Sequence, residues 1–200
     1  MSNTGSELPV ANRLARSVAV LGVGNRLRGD DAIGCIVCDE LRKERIPGSR
    51  DSGGPVPDAR ILDSSTPRSH LDGDRFLPDG VFVLDCGNTP ENYVQPIADR
   101  KPGRILVVDC CDFGAGPGEY RLFTRPQIEQ LSYGLMSTHT LPLTLTIEML
   151  SLETKATIEL LGIQPKGIEF GVDLSAPVRS ALPAVVELVK QWARESQAKA

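Results

Sequence analysis

Three uninterrupted apolar runs constrain this chain more than any other feature: SVAVLGVG at 17–24, VFVLD at 81–85 and RILVVD at 104–109. A strand that faces water on one side alternates apolar and polar residues, whereas a run without alternation is covered on both faces, as in a parallel sheet between helices. The first run ends in glycines and the other two in aspartates, so Asp85 and Asp109 fall at the carboxyl ends of parallel strands. EYRLF (119–123) and TIELLGI (157–163) read as further strands. Between them, Ile33, Ile36, Val37 and Leu41 recur at helical spacing, with Asp30 or Asp31 placed to cap that helix. A second helix is expected over Leu141 to Leu152, starting at Pro142. The last runs from Pro177 to about Arg194, with Val178, Leu182, Val185, Val186, Leu188, Val189 and Trp192 as its apolar stripe. Strands alternating with helices predict an α/β sandwich around a mainly parallel sheet.

A chain of 200 residues has room for one ordinary domain, and 40% hydrophobic with 24% charged residues excludes wholesale disorder. Residues 1–16 read as a flexible N-terminal tail, and 17–200 as a single domain. Within it, the Pro-, Gly-, Ser- and Asp-rich stretch 46–80 reads as a mobile insertion. A net charge of −4 offers no basic excess to a phosphate backbone, so nucleic acid is not an expected partner. No run approaches the ~18 apolar residues of a membrane span, and the N-terminus lacks a signal peptide's apolar core. The expected compartment is the cytoplasm. Cys35, Cys38, Cys86, Cys110 and Cys111 are odd in number and lack the spacing of a disulfide framework, so they read as reduced thiols that pack in the core.

In open α/β sheets ligands bind beyond the carboxyl ends of the strands. Asp31 follows the first strand's glycine loop, Asp85 and Asp109 end the next two, and His139 stands in MSTHTLPL just before a helix. Two carboxylates and an imidazole, Asp31, Asp109 and His139, are a workable ligand set for a divalent transition metal. The plainer alternative makes Asp31 a helix cap, Asp109 a turn residue and His139 a hydrogen-bonded side chain. Ligands drawn from three loops leave no local signature, so spacing keeps both open. His70 falls in the 46–80 stretch and is set apart from the site. The loop GVGNRLRGDDAIG (22–34) fails the dinucleotide pattern because Leu27 stands where the third glycine belongs, and its adjacent acids would repel a pyrophosphate. Neither GxSxG nor HExxH occurs, and Cys86 beside Asp85 matches no known pairing of a nucleophilic cysteine with histidine.

Taken together, GVGNRLRGDDAIG, LDCGNTPEN (84–92), VDCCDFGAGPGEYRLF (108–123), MSTHTLPL (136–143) and LLGIQPKGIEFG (160–171) resemble the hydrogenase maturation proteases, most closely the hydrogenase 3 type. The motifs stand in the family's order and span nearly all the chain outside the tail and the 46–80 stretch. The resemblance implies a three-layer α/β/α sandwich with a central twisted sheet. It also implies a metal site whose ligands match Asp31, Asp109 and His139. The residue after Asp85 is Cys86 where the family has glycine, and 46–80 is longer than the family's usual connection.

By the same resemblance, the chain is an endopeptidase, of aspartic or metal-dependent type, that removes the C-terminal extension of a nickel-iron hydrogenase large-subunit precursor after nickel insertion. The nickel is expected to arrive on the substrate and to complete its coordination on the three ligands, which other divalent metals could also occupy. Asp85 is the expected general base, against one alternative in which the bound metal polarises the scissile carbonyl or activates the water, and another in which Asp85 only hydrogen-bonds loop amides. The expected partner is the precursor, and the expected state is a monomer. Two other functions compete. One is a nickel-checking protein that binds the precursor without cutting it. The other, a nucleotide enzyme on a similar fold, is opposed by the missing glycine and the acid pair.

Overall fold

The computed structural model describes residues 17–43, 76–77, 81–131 and 143–199. The elements in chain order are β1 (Val18–Val23), α1 (Ile33–Lys43), β2 (Phe76–Leu77), β3 (Val81–Gly87), α2 (Val94–Asp99), β4 (Arg104–Cys110), β5 (Tyr120–Thr124), α3 (Arg125–Leu131), α4 (Leu143–Glu153), β6 (Thr157–Ile163) and α5 (Ala176–Lys199). Short 3-10 turns at Gly29–Ala32 and Pro90–Tyr93 lead into α1 and α2. The described strands form one sheet in the order β2-β3-β1-β4-β6-β5. The four inner strands are parallel, and β2 and β5 flank them antiparallel to β3 and β6.

The inner strands are the apolar runs, and their alternation divides the core in two. Val18 and Val20 of β1, Val81 and Val83 of β3, and Leu106 and Val108 of β4 pack against Val37 and Leu41 of α1 and against Val185, Val189 and Trp192 of α5. The intervening Ala19, Leu21, Phe82, Leu84, Ile105 and Val107 pack against Ile97 of α2, Ile128 of α3 and Ile147 and Leu150 of α4. Helices therefore cover both faces, and the expected α/β/α sandwich is what the chain forms. Trp192 also donates from Nε1 to Glu159 of β6 at 2.8 Å, tying the apolar stripe of α5 to the sheet by a polar contact.

Chain order makes β1 the hinge of this sheet. From β1 the chain crosses over α1 to β3 on one side, and from β3 it crosses over α2 to β4 on the other side of β1. With right-handed crossovers, that reversal puts α1 and α2 on opposite faces and opens a crevice at the carboxyl end of β1. Asp31, Asp85 and Asp109 all belong to segments at this edge.

One expectation needs correction. Asp30 does not cap α1: the residue before the 3-10 turn is Arg28, no side-chain cap bond forms there, and the Asp30 carboxylate is taken up by the 165–175 loop. Within the 46–80 stretch, Phe76 and Leu77 pair with Phe82 and Val81. Those two residues take up the backbone groups that β3 would otherwise leave open at the sheet edge. The rest of that stretch, the 1–16 tail, the helix start at Pro142 and both histidines lie outside the described residues. No helix among the described residues is long and apolar enough to cross a membrane.

Candidate functional site

The glycines that suggested a nucleotide loop serve close packing. The first turn of α1 lies directly on the backbones of β1 and β4. A Cβ on Gly34 would stand 2.2 Å from the Val23 carbonyl oxygen and 2.3 Å from that of Val108, and one on Gly22 would stand 2.3 Å from the Gly34 oxygen. Gly24 has φ +143°, and a Cβ there would meet the Asp31 carbonyl oxygen at 1.8 Å. The loop can therefore fold back on itself only with glycine at this position. Its amide donates to the Gly87 oxygen at 2.9 Å, joining the β1 loop to the end of β3.

This packing delivers Asp31 to the crevice. Asp31 is fully buried, and its Oδ2 accepts the Asn25 amide at 3.2 Å across the loop. Asp109 lies one step beyond Val108, the partner of Gly22 in the neighbouring strand, and is 3% exposed. The pair shares an electrostatic neighbourhood. Burial raises the Cys110 thiol above its ordinary range, and the carboxylates of Asp109 and then Asp31 raise it further. Two buried carboxylates at neighbouring strand ends are oxygen donors of the kind a divalent cation takes. Among the described residues no three His, Cys, Asp or Glu side chains converge to hold a metal, and the third expected ligand, His139, lies outside them.

Asp85 occupies a different setting. It pairs with Gly22 in register, and strand alternation turns it toward the α1 face with Val81 and Val83. The Arg26 guanidinium donates to its Oδ2 at 2.5 Å and the Gly87 amide to its Oδ1 at 3.0 Å. Arg26 also grips Asp39 of α1 with two bonds, at 2.6 and 3.1 Å, and reaches the Cys35 carbonyl at 3.3 Å. Burial alone would raise the Asp85 carboxyl, but donation from Arg26, the Cys35 thiol and Gly87 outweighs it and holds the group below the usual carboxylate range. It is ionised at neutral pH. The neighbouring thiols are the reverse. Burial, with Asp85 next, pushes Cys35 up, and the same two causes push Cys38 up to about 12, so the CxxC pair is protonated. Both are free and buried, as expected of core thiols.

Two residues organise the site in ways the sequence did not disclose. Asp30, fully buried, accepts the amides of Lys166 at 2.8 Å, Gly167 at 3.3 Å and Ser175 at 2.7 Å, and the Ser175 hydroxyl at 2.8 Å. It ties the glycine loop to the 165–175 loop that follows β6. Gln164, at the end of β6, accepts the amides of Phe113 and Ala115 at 2.9 and 3.1 Å and donates to Asp112 at 3.0 Å, which shapes the loop after Asp109. Both act on loops more than forty residues away, so no local pattern marks them. The only local signal was that Asp30 and Asp31 are adjacent, and just one of two neighbouring acids can face a given side. A cavity of about 400 Å³ between α3 and α4, bordered by Ile128 and Ile147, lies on the face opposite α1 and gathers none of these groups.

The fold is shared with known proteins. Residues 69–192 match the family model for hydrogenase maturation protease. Over 110 residues the chain is 34% identical to the hydrogenase 3 maturation protease of Escherichia coli K12, covering 55% of this chain and 69% of that protein. The crystal structure of the [NiFe] hydrogenase maturation protease HycI from Thermococcus kodakarensis KOD1 is similar with TM-score 0.64 at 26% identity, over 90% of this chain and 93% of that one. The solution structure of the endopeptidase HycI from Escherichia coli is similar with TM-score 0.63 at 25% identity, over 88% and 90%. The family match takes in Asp85, Asp109 and the position of His139, and the structural likeness extends over most of the chain. The chain therefore belongs to the hydrogenase maturation protease family, a family of peptidases.

Proposed function

We propose that this chain cuts the C-terminal extension from the large-subunit precursor of a nickel-iron hydrogenase, and that it does so after nickel has been placed in that precursor. The observation that carries the reading is the buried carboxylate pair, Asp31 and Asp109, at the switch point of a sheet shared with hydrogenase maturation proteases. Nickel is here part of the substrate. Asp31 and Asp109, with His139, would hold it by completing its coordination, so that only a loaded precursor is seated. Such a site would let the metal report that assembly is complete and would keep the chain silent toward a nickel-free precursor.

In this reading Asp85 takes the proton of the attacking water. It is ionised at neutral pH, as a general base must be, but a carboxyl held low by Arg26 is a weak base. Arg26, whose side chain is 43% exposed, has to leave Asp85 when substrate arrives, which restores the carboxylate's basicity at the moment of use. Replacement Asp85→Asn tests this. Cleavage of a nickel-loaded precursor is expected to fall at least ~100-fold, in line with loss of a general base, while precursor binding persists. Near-normal cleavage would remove Asp85 from the chemistry and leave it as a clamp on the loop amides. Binding without any cleavage by the unaltered chain would favour the nickel-checking protein.

A further inference from the structure

Beside the crevice, three large apolar side chains stand in water on two loops that hold each other rigid. Leu27 is 59% exposed, Phe170 72% and Val172 49%. Their backbones are not loose. Gly29 donates to the Val172 oxygen at 3.2 Å, Asp30 to the Gly167 oxygen at 3.1 Å and Gly171 to the Leu27 oxygen at 2.8 Å, while Arg28 Nε reaches the Ile168 oxygen at 3.2 Å. The Asp30 carboxylate adds the four bonds to Lys166, Gly167 and Ser175. Three apolar side chains on two loops bonded to each other expose more together than a single residue such as Leu152, and covering them would recover solvation free energy.

We propose that Leu27, Phe170 and Val172 form a docking platform for an apolar surface of the hydrogenase large-subunit precursor, and so set substrate affinity without entering the chemistry. The proposal rests on the function read above, and deepens it by naming the surface that recognises the protein part of the substrate. Its geometry commits the occupant. Leu27 is four residues from Asp31, so their Cα atoms lie within about 14 Å of each other. A standard interface of about 800 Å² per partner, drawn as a disc, has a radius of about 16 Å. A protein substrate whose interface is centred on a metal at Asp31 would thus cover Leu27, and with it the loop bonded to Leu27. The charged and exposed Glu169 and Asp173 flank Phe170 and Val172 in sequence, as a polar rim flanks an interface centre. Phe170, the most exposed of the three, supplies a large aromatic anchor of the kind on which interface affinity concentrates.

The test compares the full-length chain with the double replacement Leu27→Ser and Phe170→Ser, using a nickel-loaded precursor. Two readouts are taken: KM and kcat for release of the C-terminal peptide, and the Kd of the precursor for each protein. Leu152→Ser serves as a control, because Leu152 is 79% exposed at the end of α4, toward the opposite edge of the sheet. All three replaced side chains are exposed, and circular dichroism with thermal unfolding checks that each variant is folded. The expected result is a rise of about 10-fold or more in KM and Kd for the double variant, with kcat within about 2-fold and the control unchanged. Unchanged KM and Kd would overturn the platform, as would a fall in kcat alone. If the unaltered chain binds the precursor without cutting it, the protease reading fails, while Kd still decides on the platform. If the unaltered chain sediments as a dimer and the double variant as a monomer, the surface belongs to a second copy and the proposal is wrong.

Discussion

Arg26 shows how one residue can give a site its electrostatic character without being visible in any motif. In the sequence it is an unremarked cation in a glycine loop; in the fold it joins Asp85 of β3 to Asp39 of α1. The pairing has a sign that can be measured. Because the folded Asp85 carboxyl lies below its unfolded value of about 3.9, its contribution to stability is present above that pH and is lost as pH falls through the folded value. Arg26→Met leaves the carboxylate to its burial. With screening at the half-exposed guanidinium, the variant is expected to lose about 1 kcal/mol at pH 7. That deficit should shrink as pH falls below 4 and the carboxyls of both proteins become protonated. Urea unfolding at pH 7 and pH 3 measures it, and a deficit equal at both would contradict the assignment. Asp85 itself was legible because it ends an apolar run. Its partner was not, since Arg26 stands 59 positions away and charge pairing across a sheet edge leaves no spacing rule.

At the scale of elements, the glycine loop and α1 act as one unit. Gly22, Gly24 and Gly34 let the helix sit on the strands, and that contact places Asp31. Gly24→Ala combines a disfavoured positive φ with a clash against the Asp31 carbonyl oxygen. The expected cost is on the order of 3 kcal/mol, with a lowered urea midpoint. Cleavage should fall even under conditions where the variant remains folded, because Asp31 moves with the loop. A variant as stable and active as the unaltered chain would show that the loop can relax. The strands and long helices were readable here, since uninterrupted apolar runs and a seven-residue apolar stripe admit few alternatives. The short elements were not. Helices α2 and α3, of six and seven residues, carry too few turns to establish a period, and β2 is two residues inside a polar stretch. The role of Asp30 was misread for a related reason. Acids before a helix are good caps in general, but a buried carboxylate that can take four donors from another loop gains more there than from one end of α1.

For the whole molecule, the sheet order explains why ligands drawn from distant loops can form one site. The reversal at β1 gathers the ends of β3, β1 and β4, and helices on both faces keep those ends fixed while their loops stay free to carry chemistry. Fold class follows from the apolar pattern alone, and family membership from motifs that keep their order over the chain. What a single motif could not reveal is that Asp85 is clamped by Arg26, apart from the buried carboxylates Asp31 and Asp109 for which a metal role is proposed. The central claim is that nickel on the precursor licenses the cut. Intact-mass measurement of the precursor after incubation with this chain, with and without nickel loading, and with His139→Ala in parallel, tests it directly. The account predicts loss of one C-terminal peptide from the nickel-loaded precursor alone, abolished by His139→Ala. Equal cleavage of the nickel-free precursor, or full activity of the His139→Ala chain, would contradict it.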